Sequence, residues 1–216
     1  QCGAALQQKI DQGGTIRVCP GRYAGELHTF TSITLIGAGR GDDPASSTIL
    51  DGLQEDRVFF VEEGATAMLE QLRITGGRKS FSGGGVHNVG TLTMNRCTVT
   101  GNRVTTASGG GVYQSSQATG GMTLTDCTIS GNDAEGSGGG LMQSDDAHQV
   151  TLTNCIVSGN HAGGSGGGVG CSFGVLSMNG GSLNGNSAQN FGGGMWASGD
   201  GDAAVSGVTM SGNTPT

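Results

Sequence analysis

Five Gly-Gly-Gly triplets, each followed further along the chain by a Gly-Asn pair, are the feature that most restricts the fold of this sequence. The triplets start at Gly83, Gly109, Gly138, Gly166 and Gly192, and the pairs end at Asn102, Asn132, Asn160, Asn186 and Asn213. Successive Asn residues are 30, 28, 26 and 27 positions apart. A period of this length is typical of a solenoid, in which each repeat packs against its neighbours along one axis.

Alignment of the repeats on the Gly-Asn pairs gives four columns of apolar residues, with polar residues such as Thr93 and Thr123 between them. Apolar and polar positions that alternate with period 2 predict short strands with one buried face. Strands stacked in register, about 4.8 Å apart, form an all-β parallel β-helix. The columns are Val86/Val112/Leu141/Val169/Met195, Leu92/Met122/Val150/Leu176/Ala203, Met94/Leu124/Leu152/Met178/Val205 and Val99/Ile129/Val157/Leu183/Met210.

The N-terminal part predicts a cap and the first coils of the same solenoid. Residues 4–11 predict a short helix with Leu6 and Ile10 on one face, ended by Gly13 and Gly14. Strand-rich runs follow at 15–19, 33–36, 48–50 and 58–61, separated by turns such as Pro20-Gly21. We therefore expect one domain over residues 1–216, with the cap and first coils in 1–64 and the Gly-rich repeats in 65–213.

The two motifs are expected to form the corners of the backbone rather than to bind a ligand. Asn tolerates the left-handed conformation of a tight corner, and stacked Asn side chains can bond to each other along the axis. Asn102, Asn132, Asn160, Asn186 and Asn213 are therefore predicted to be structural. A phosphate-binding Gly loop precedes a helix and usually carries a Lys, whereas here a strand follows and Lys is absent.

Composition excludes a collagen fold and argues against two classes of partner. Glycine is abundant, at 45 residues, but no Gly-X-Y period accompanies it, which excludes collagen. The net charge is −7, and all ten Lys and Arg residues lie at or before Arg103. Nucleic acid is not an expected partner, because its binding depends on Lys and Arg that neutralise phosphates. No stretch approaches the roughly 20 apolar residues of a membrane-spanning helix, so no membrane span is expected.

The chain start and the six cysteines predict a secreted or outer cell-surface protein. The chain begins with Gln1-Cys2-Gly3 rather than Met, which we interpret as a mature form whose signal peptide has been removed. Six Cys and few Lys fit an oxidising compartment. A disulfide between Cys2 and Cys19 is expected to tie the cap to the first strand.

Three further cysteines, Cys97, Cys127 and Cys155, occupy one aligned column in which the preceding coil has Leu72. That Leu predicts that the column faces inward. Two interpretations remain open: buried free thiols, or a disulfide between neighbouring coils, whose spacing allows the bond.

The Gly triplets and the Gly-Asn pairs resemble repeats of a known family. Gly-Gly-Gly followed by Val, Leu or Met, and an aliphatic-x-Gly-Asn, resemble the GGA-(I/L/V) and FxxN repeats of chlamydial polymorphic outer-membrane proteins. The second motif is filled at 99–102, 129–132, 157–160, 183–186 and 210–213, although no Phe precedes the Asn. Residues 13–23, 33–37 and 48–52 are similar to the start of bacterial pectin-lyase-like β-helices. The resemblance implies a right-handed helix at the cell surface or outside the cell, and leaves lyases, hydrolases, esterases, adhesins and structural proteins open.

Two groups of carboxylates are the candidates for chemistry. Asp145 and Asp146, with His148 nearby, and Asp200 with Asp202 fall in segments of variable length between a Gly triplet and the next strand. Variable length predicts loops, and solvated acidic loops are the preferred interpretation. A Ca²⁺ site and a glycosidase-like carboxylate pair are the alternatives. No cofactor is otherwise expected.

Two outward surfaces are the candidates for binding. One column contains His87, Tyr113, Met142, Gly170 and Trp196, and its aromatic residues can bind a glycan or a protein unless loops cover them. The other is a hydroxyl array, interrupted by Ile156 and Asn184, of the kind found in ice-binding proteins. Its members are Thr98, Thr100, Thr128, Ser130, Ser182, Thr209 and Ser211.

The chain end and these surfaces lead to a functional hypothesis. Three residues follow the last Gly-Asn pair, which predicts an open strand edge that stacks end to end, docks on a partner, or is joined in nature to an anchor. We expect a non-catalytic structural or adhesive protein that associates with itself, a surface protein or a glycan. A carbohydrate-active enzyme or carbohydrate-binding module is the first alternative, and an ice-binding protein is the second.

Overall fold

A computed structural model describes residues 6–215 and confirms the predicted all-β parallel β-helix. Short strands from successive coils pair in parallel and form three sheets, here named A, B and C, along the helix axis. In the described part of the chain one helix, Leu6–Ile10, precedes the first strand.

Sheet A contains thirteen strands and has two arms. The first arm contains Leu27–Thr29, Phe59–Val61, Val86–Asn88, Val112–Gln114 and Leu141–Gln143. The second arm contains Gly14–Arg17, Ile33–Ile36, Thr66–Glu70, Thr91–Asn95, Met122–Thr125 and Val150–Thr153. The arms merge in the long strands Val169–Asn179 and Met195–Ser206, because these two coils have no loop between the arms.

Sheet B contributes to each coil, and sheet C contributes from the third coil onward. Sheet B contains Gly21–Ala24, Thr48–Asp51, Leu72–Thr75, Thr98–Thr100, Thr128–Ser130, Ile156–Ser158, Ser182–Asn184 and Thr209–Ser211. Sheet C contains Arg78–Lys79, Arg103–Val104, Asp133–Ala134, His161–Ala162, Ser187–Ala188 and Thr214–Pro215.

The register of the strands confirms the four apolar columns. Val86, Val112, Leu141, Val169 and Met195 are successive partners, and the other three columns pair in the same way. In the coils before the last one, the side chains of these columns are at most 1% exposed. The last coil has no coil beyond it in the structure, so its columns are open: Val205 is 40% exposed and Met210 is 50% exposed.

The N-terminal helix covers the first coil, as predicted. Leu6 and Ile10 are buried, and the Gly13 N–H donates to the Ile10 carbonyl as the helix ends. The strand predicted at 15–19 is present as Gly14–Arg17, but the predicted turn at Pro20-Gly21 is partly wrong, because Gly21 already begins the strand Gly21–Ala24. That strand is held by its pairing with Thr48–Asp51, a contact that local sequence does not show.

The corner Asn residues form a continuous hydrogen-bonded ladder through the buried corner. Asn132 Nδ2 donates to Asn160 Oδ1 at 3.0 Å, and Asn160 Nδ2 donates to Asn186 Oδ1 at 2.9 Å. The same oxygens accept the backbone N–H of the preceding Asn, and each Nδ2 also donates to a carbonyl of the preceding coil. One side chain therefore satisfies groups on three coils, which confirms the predicted structural role.

Removal of one Asn from the centre of the ladder leaves several buried groups without partners. We expect Asn160→Ala to lower the free energy of unfolding by about 3 kcal/mol, because buried donors and acceptors each cost about 1–3 kcal/mol when unpaired. The matched variant Asn213→Ala also removes the acceptor of two hydrogen bonds from Asn186, but it does so at the partly exposed last coil, where water can replace that acceptor, so we expect a smaller loss than for Asn160→Ala. Thermal denaturation followed by circular dichroism measures both, and equal losses would contradict the ladder's role.

The Gly triplets combine two different requirements. The first glycine of each triplet has a left-handed backbone, as in Gly138 with φ 67°. The second and third glycines lie against the backbone of the next coils, and a Cβ on Gly139 would lie 2.2 Å from the His161 carbonyl oxygen. Close approach, and not turning alone, therefore explains why the corner needs three glycines.

A pair of Gly→Ala variants separates these requirements. Gly139→Ala must push neighbouring coils apart, so we expect a loss of about 3 kcal/mol or more. Gly159→Ala places Cβ in open space at φ 61°, so the expected cost is the left-handed strain alone, about 1–2 kcal/mol. Thermal denaturation of both variants measures the difference. A Gly159→Ala variant that is less stable than Gly139→Ala would contradict the steric explanation.

Candidate functional site

The predicted aromatic column begins two coils earlier than the sequence indicated. His28, Phe60, His87 and Tyr113 are successive strand partners on the outside of the first arm of sheet A, and we name them the ring ladder. Their ring centroids are 5.4, 4.9 and 5.0 Å apart. Alignment on the Gly triplets missed His28 and Phe60, because the first coils lack the triplet.

His28, Phe60 and His87 stack on each other and so present mainly their edges to solvent, whereas Tyr113 meets His87 edge-on, at 68°. His28 and Phe60 are 16° from parallel, and Phe60 and His87 are 28° from parallel. Both faces of Phe60 are therefore covered by neighbouring rings. Stacked rings of this kind stabilise the packing of coils, and they leave few free faces for a ligand.

The other two members of the predicted column do not continue the ring ladder. Met142 is 4% exposed and therefore does not form part of an outward binding face, contrary to the prediction. A Cβ on Gly170 would lie 2.6 Å from Met142 Sδ, so the Met side chain lies over the space that this glycine leaves. Trp196 is half-buried on the following coil, and it makes no ring contact with a described aromatic residue.

Arg57 holds the ring ladder against the adjacent loop. Its guanidinium lies 4.8 Å from the Phe60 centroid, and its Nε and Nη2 donate to the carbonyls of Gly83 and Ser82 at 2.9 Å. Nη1 donates to Glu26 Oε1 at 3.2 Å. Burial lowers the pKa of Arg57 from its usual value, but these partners keep the group charged.

A charged cluster surrounds Arg57 in the first coils. Lys79 Nζ lies between Asp56 and Glu26, and its hydrogen bond with Asp56 raises the pKa of Lys79 and lowers that of Asp56. His28 Nδ1 lies 2.9 Å from Glu62 Oε1, and its Nε2 lies 3.5 Å from Glu26. Sequence analysis did not single out these residues. The concentration of every cation in the first 103 residues was the available signal.

An open groove of about 500 Å³ lies beside the charged cluster, lined by segments 54–56 and 78–80 and by Thr105. The loop before it contains two consecutive left-handed residues, Leu53 with φ 56° and Gln54 with φ 62°. Arg78 is exposed and makes no ion pair with any described residue, whereas its strand partner Arg103 pairs with Asp133. Four other non-glycine residues, Gln71, Arg96, Asp126 and Asn154, have the same conformation at the corner before sheet B, so it is also a corner conformation of this fold.

The first group of predicted acids forms a self-contained structural contact. Asp145 is 1% exposed, and its Oδ2 accepts from His148 Nδ1 at 2.8 Å and from Gln114 Nε2 at 3.3 Å. Its Oδ1 accepts the Ala147 N–H at 2.9 Å. The segment is a loop, as predicted, but Asp145 is buried rather than solvated.

The second group was predicted to lie in a loop, and this prediction is wrong. Asp200 and Asp202 belong to the strand Met195–Ser206 and pair with Phe173 and Val175. The intervening coil separates them from Asp145 and Asp146, so the four acids are not brought together. No group of three or more His, Cys, Asp or Glu residues in the region 6–215 has the arrangement of a metal site.

Protonation of His87, a member of the ring ladder, opposes folding because His87 is largely buried. Burial, with the nearby charge of Arg57 as a second cause, lowers the pKa of His87 to about 4. An unfolded His binds its proton near pH 6.5, so the unfolded state binds more protons between pH 6.5 and 4. Stability contributed by neutral His87 is therefore present above pH 6.5 and is lost as the pH falls toward 4.

Replacement of His87 by a ring that does not titrate tests this effect. We expect His87→Phe to keep the stack and to reduce the loss of stability between pH 6.5 and 4 by up to about 3 kcal/mol. Urea unfolding at several pH values measures it, with His161→Gln, on sheet C, as the control. Parallel pH profiles for wild type and His87→Phe would contradict the assignment.

The cysteine column is buried, as predicted. Cys97, Cys127 and Cys155 are free thiols on three successive coils, and each Sγ contacts a carbonyl of the coil below at 3.4 or 3.5 Å. Cys171 is also buried and free, and burial raises its pKa. Cys2 lies outside the described residues, so its bond with Cys19 stays a prediction.

The predicted hydroxyl array lies on the outside of sheet B, with Ile156 exposed within it, and we name this surface face B. A second and less interrupted array, face A, covers the second arm of sheet A. Its two rows are Thr93/Thr123/Thr151/Ser177/Ala204 and Asn95/Thr125/Thr153/Asn179/Ser206. The sequence pattern identified these positions only as polar residues between the apolar columns.

Comparison with family models identifies the class of protein. The model described as "Right handed beta helix region" matches residues 55–214, which is most of the chain. The chain therefore belongs to the right-handed β-helix family. The comparisons with curated proteins and with solved structures gave no match.

Within residues 6–215 no helix has the length and apolar character needed to cross a bilayer.

Proposed function

We propose that this chain is an extracellular or cell-surface β-helix with a structural and adhesive role and without catalytic activity. The observation that carries the proposal is the pair of flat faces A and B. Their hydroxyl and amide side chains repeat on four or more successive coils, and neither face carries a charged residue beyond Arg103. A broad neutral face of this kind suits contact with a hydroxylated polymer or another protein surface.

The paired charged residues support a structural rather than a catalytic role. Glu26 is shared by Arg57 and Lys79, and Asp145 is occupied by His148 and a backbone N–H. Such paired groups join neighbouring coils and loops. The resemblance to chlamydial outer-membrane repeats and to pectin-lyase-like β-helices supports a location at the cell surface or outside the cell.

End-to-end self-association into a fibre is part of the proposal. The last coil exposes apolar side chains such as Met210, which a second copy can cover. At the other end the helix packs against Gly14–Arg17 and Leu27–Thr29, whereas Gly21–Ala24 pairs with Thr48–Asp51 and with no other described strand.

Retention and turnover measured on the same surfaces test the proposed role. We expect wild type to be retained on at least one of immobilised neutral polysaccharide, acidic polysaccharide or extracellular-matrix protein, with no release of reducing ends or unsaturated sugars. Thr123→Glu with Thr151→Glu should reduce retention at least tenfold, because it places charges at the centre of face A. The matched control is Ser187→Glu on sheet C. Product release would establish an enzyme instead, and retention on none of the surfaces would refute adhesion.

Ice binding is a second candidate, favoured by the second hydroxyl row on face A. Neighbouring hydroxyls there are expected to be about 4.8 Å apart between coils and about 6.7 Å apart along a strand. Thermal hysteresis that is abolished by Thr123→Tyr would make ice the ligand of this face. No hysteresis in the wild type would remove the candidate.

A further inference from the structure

An exposed loop between sheets A and B contains an Arg-Gly-Asp tripeptide. The loop, residues 37–47, joins the strands Ile33–Ile36 and Thr48–Asp51, and we name it the corner loop. Arg40, Gly41 and Asp42 lie within it, and all three are exposed. The same corner takes only one or two residues in the later coils, so the corner loop is far longer than the turn requires. Loops that a rigid scaffold presents in this way often carry binding residues.

Hydrogen bonds close the corner loop at its base. The Thr48 N–H donates to the Gly39 carbonyl at 3.0 Å, and the Ala38 N–H donates to Thr48 Oγ1 at 2.9 Å. The Gly41 N–H donates to Ser47 Oγ at 3.1 Å. The tripeptide therefore lies on a constrained loop, which reduces the conformational entropy that is lost when a partner binds.

Two adjacent aspartates of the corner loop have different surroundings. Asp43 Oδ1 accepts the Ala45 N–H at 2.9 Å and its Oδ2 accepts from Ser46 Oγ at 3.1 Å, so this carboxylate holds the turn that follows. The Asp42 carboxylate, by contrast, makes no hydrogen bond and no ion pair with any residue between 6 and 215. An exposed carboxylate that the described chain does not use is free to bind a partner.

Arg40 keeps most of its hydrogen-bonding capacity. Its Nη1 donates to the backbone carbonyl of Asp126 at 2.6 Å, at the same corner three coils further on. A guanidinium has five N–H donors, and the other four have no acceptor among the described residues. No described carboxylate forms an ion pair with Arg40. One bond therefore holds the side chain, and its charge stays open to an acidic group.

The spacing of the two charged groups defines the partner that fits them. Arg40 and Asp42 are two positions apart, so their Cα atoms are at most about 7 Å apart, and Gly41 adds no side chain between them. A guanidinium pairs best with a carboxylate, in a bidentate arrangement. A free carboxylate can complete the oxygen ligands of a Mg²⁺ or Mn²⁺ ion. The matching surface therefore has an acidic pocket beside a bound divalent cation.

We propose that Arg40-Gly41-Asp42 is a docking site for a cell-surface receptor protein that holds a divalent cation beside an acidic pocket. The Asp42 carboxylate binds the cation of the receptor, and the Arg40 guanidinium binds its acidic pocket. The inference rests on the proposed adhesive function and adds a specific protein contact to the broad contacts of faces A and B.

Binding to purified receptors tests the docking site. We would measure surface plasmon resonance on a panel of immobilised integrin ectodomains that bind Arg-Gly-Asp peptides, in Mn²⁺ and in EDTA. We expect wild type to bind at least one of them in Mn²⁺ and none in EDTA. Asp42→Glu should bind at least tenfold more weakly, because it displaces the carboxylate from the cation, and Arg40→Lys at least fivefold, because Lys cannot pair bidentately. The matched control is Asp146→Glu, the same change at an exposed residue of another loop.

The outcomes separate failure of the docking site from failure of adhesion. No binding of wild type to any receptor, or binding that EDTA or Asp42→Glu leaves unchanged, would overturn the docking site. Retention on polysaccharide or matrix protein without receptor binding would overturn it too, but would keep the adhesive function. Arg40→Lys also changes the contact with Asp126, whereas Asp42→Glu leaves every hydrogen bond of the corner loop in place. Circular dichroism of Asp42→Glu should therefore match that of wild type, so that its weaker binding reports on the contact alone.

Discussion

The axial hydrogen bonds at the Asn corner are the interaction on which the rest of this structure depends. A coil that has few large side chains must be held in register with its neighbours by the backbone and by short polar groups. Asn160 does this by accepting two bonds from Asn132 and donating to Asn186 and to the coil below. The glycines opposite allow the coils to approach closely enough for these bonds to form.

That constraint explains how function can be distributed over the surface. Inward side chains pack between coils, so residue types are less restricted at outward positions and in the loops between the arms. The first coils use this freedom for charges, rings and a groove, whereas the later coils carry neutral hydroxyl rows and no cation. The molecule therefore has one half suited to specific contacts and one suited to broad contacts.

Sequence reasoning recovered the features that repeat. The period fixed the coil, the apolar columns and the Asn ladder, because the same residue types return at the same position in five coils. It missed Phe60, Arg57 and the groove, because these belong to coils without the Gly triplet and depend on contacts between residues about 25–55 positions apart in the chain. It also placed Asp200 and Asp202 in a loop, since the merging of two arms into one strand is decided by the neighbouring coil.

Amide hydrogen exchange at the corner Asn residues tests the central role of the ladder most directly. The backbone N–H groups of Asn132 and Asn160 donate to Oδ1 of the next Asn, at 2.9 and 3.0 Å, whereas no described group accepts from the N–H of Asn213 at the open end. We expect the amides of Asn132 and Asn160 to be among the slowest to exchange in the chain, and that of Asn213 to exchange rapidly. Exchange at Asn132 and Asn160 as fast as at Asn213 would show that the ladder does not hold the coils together.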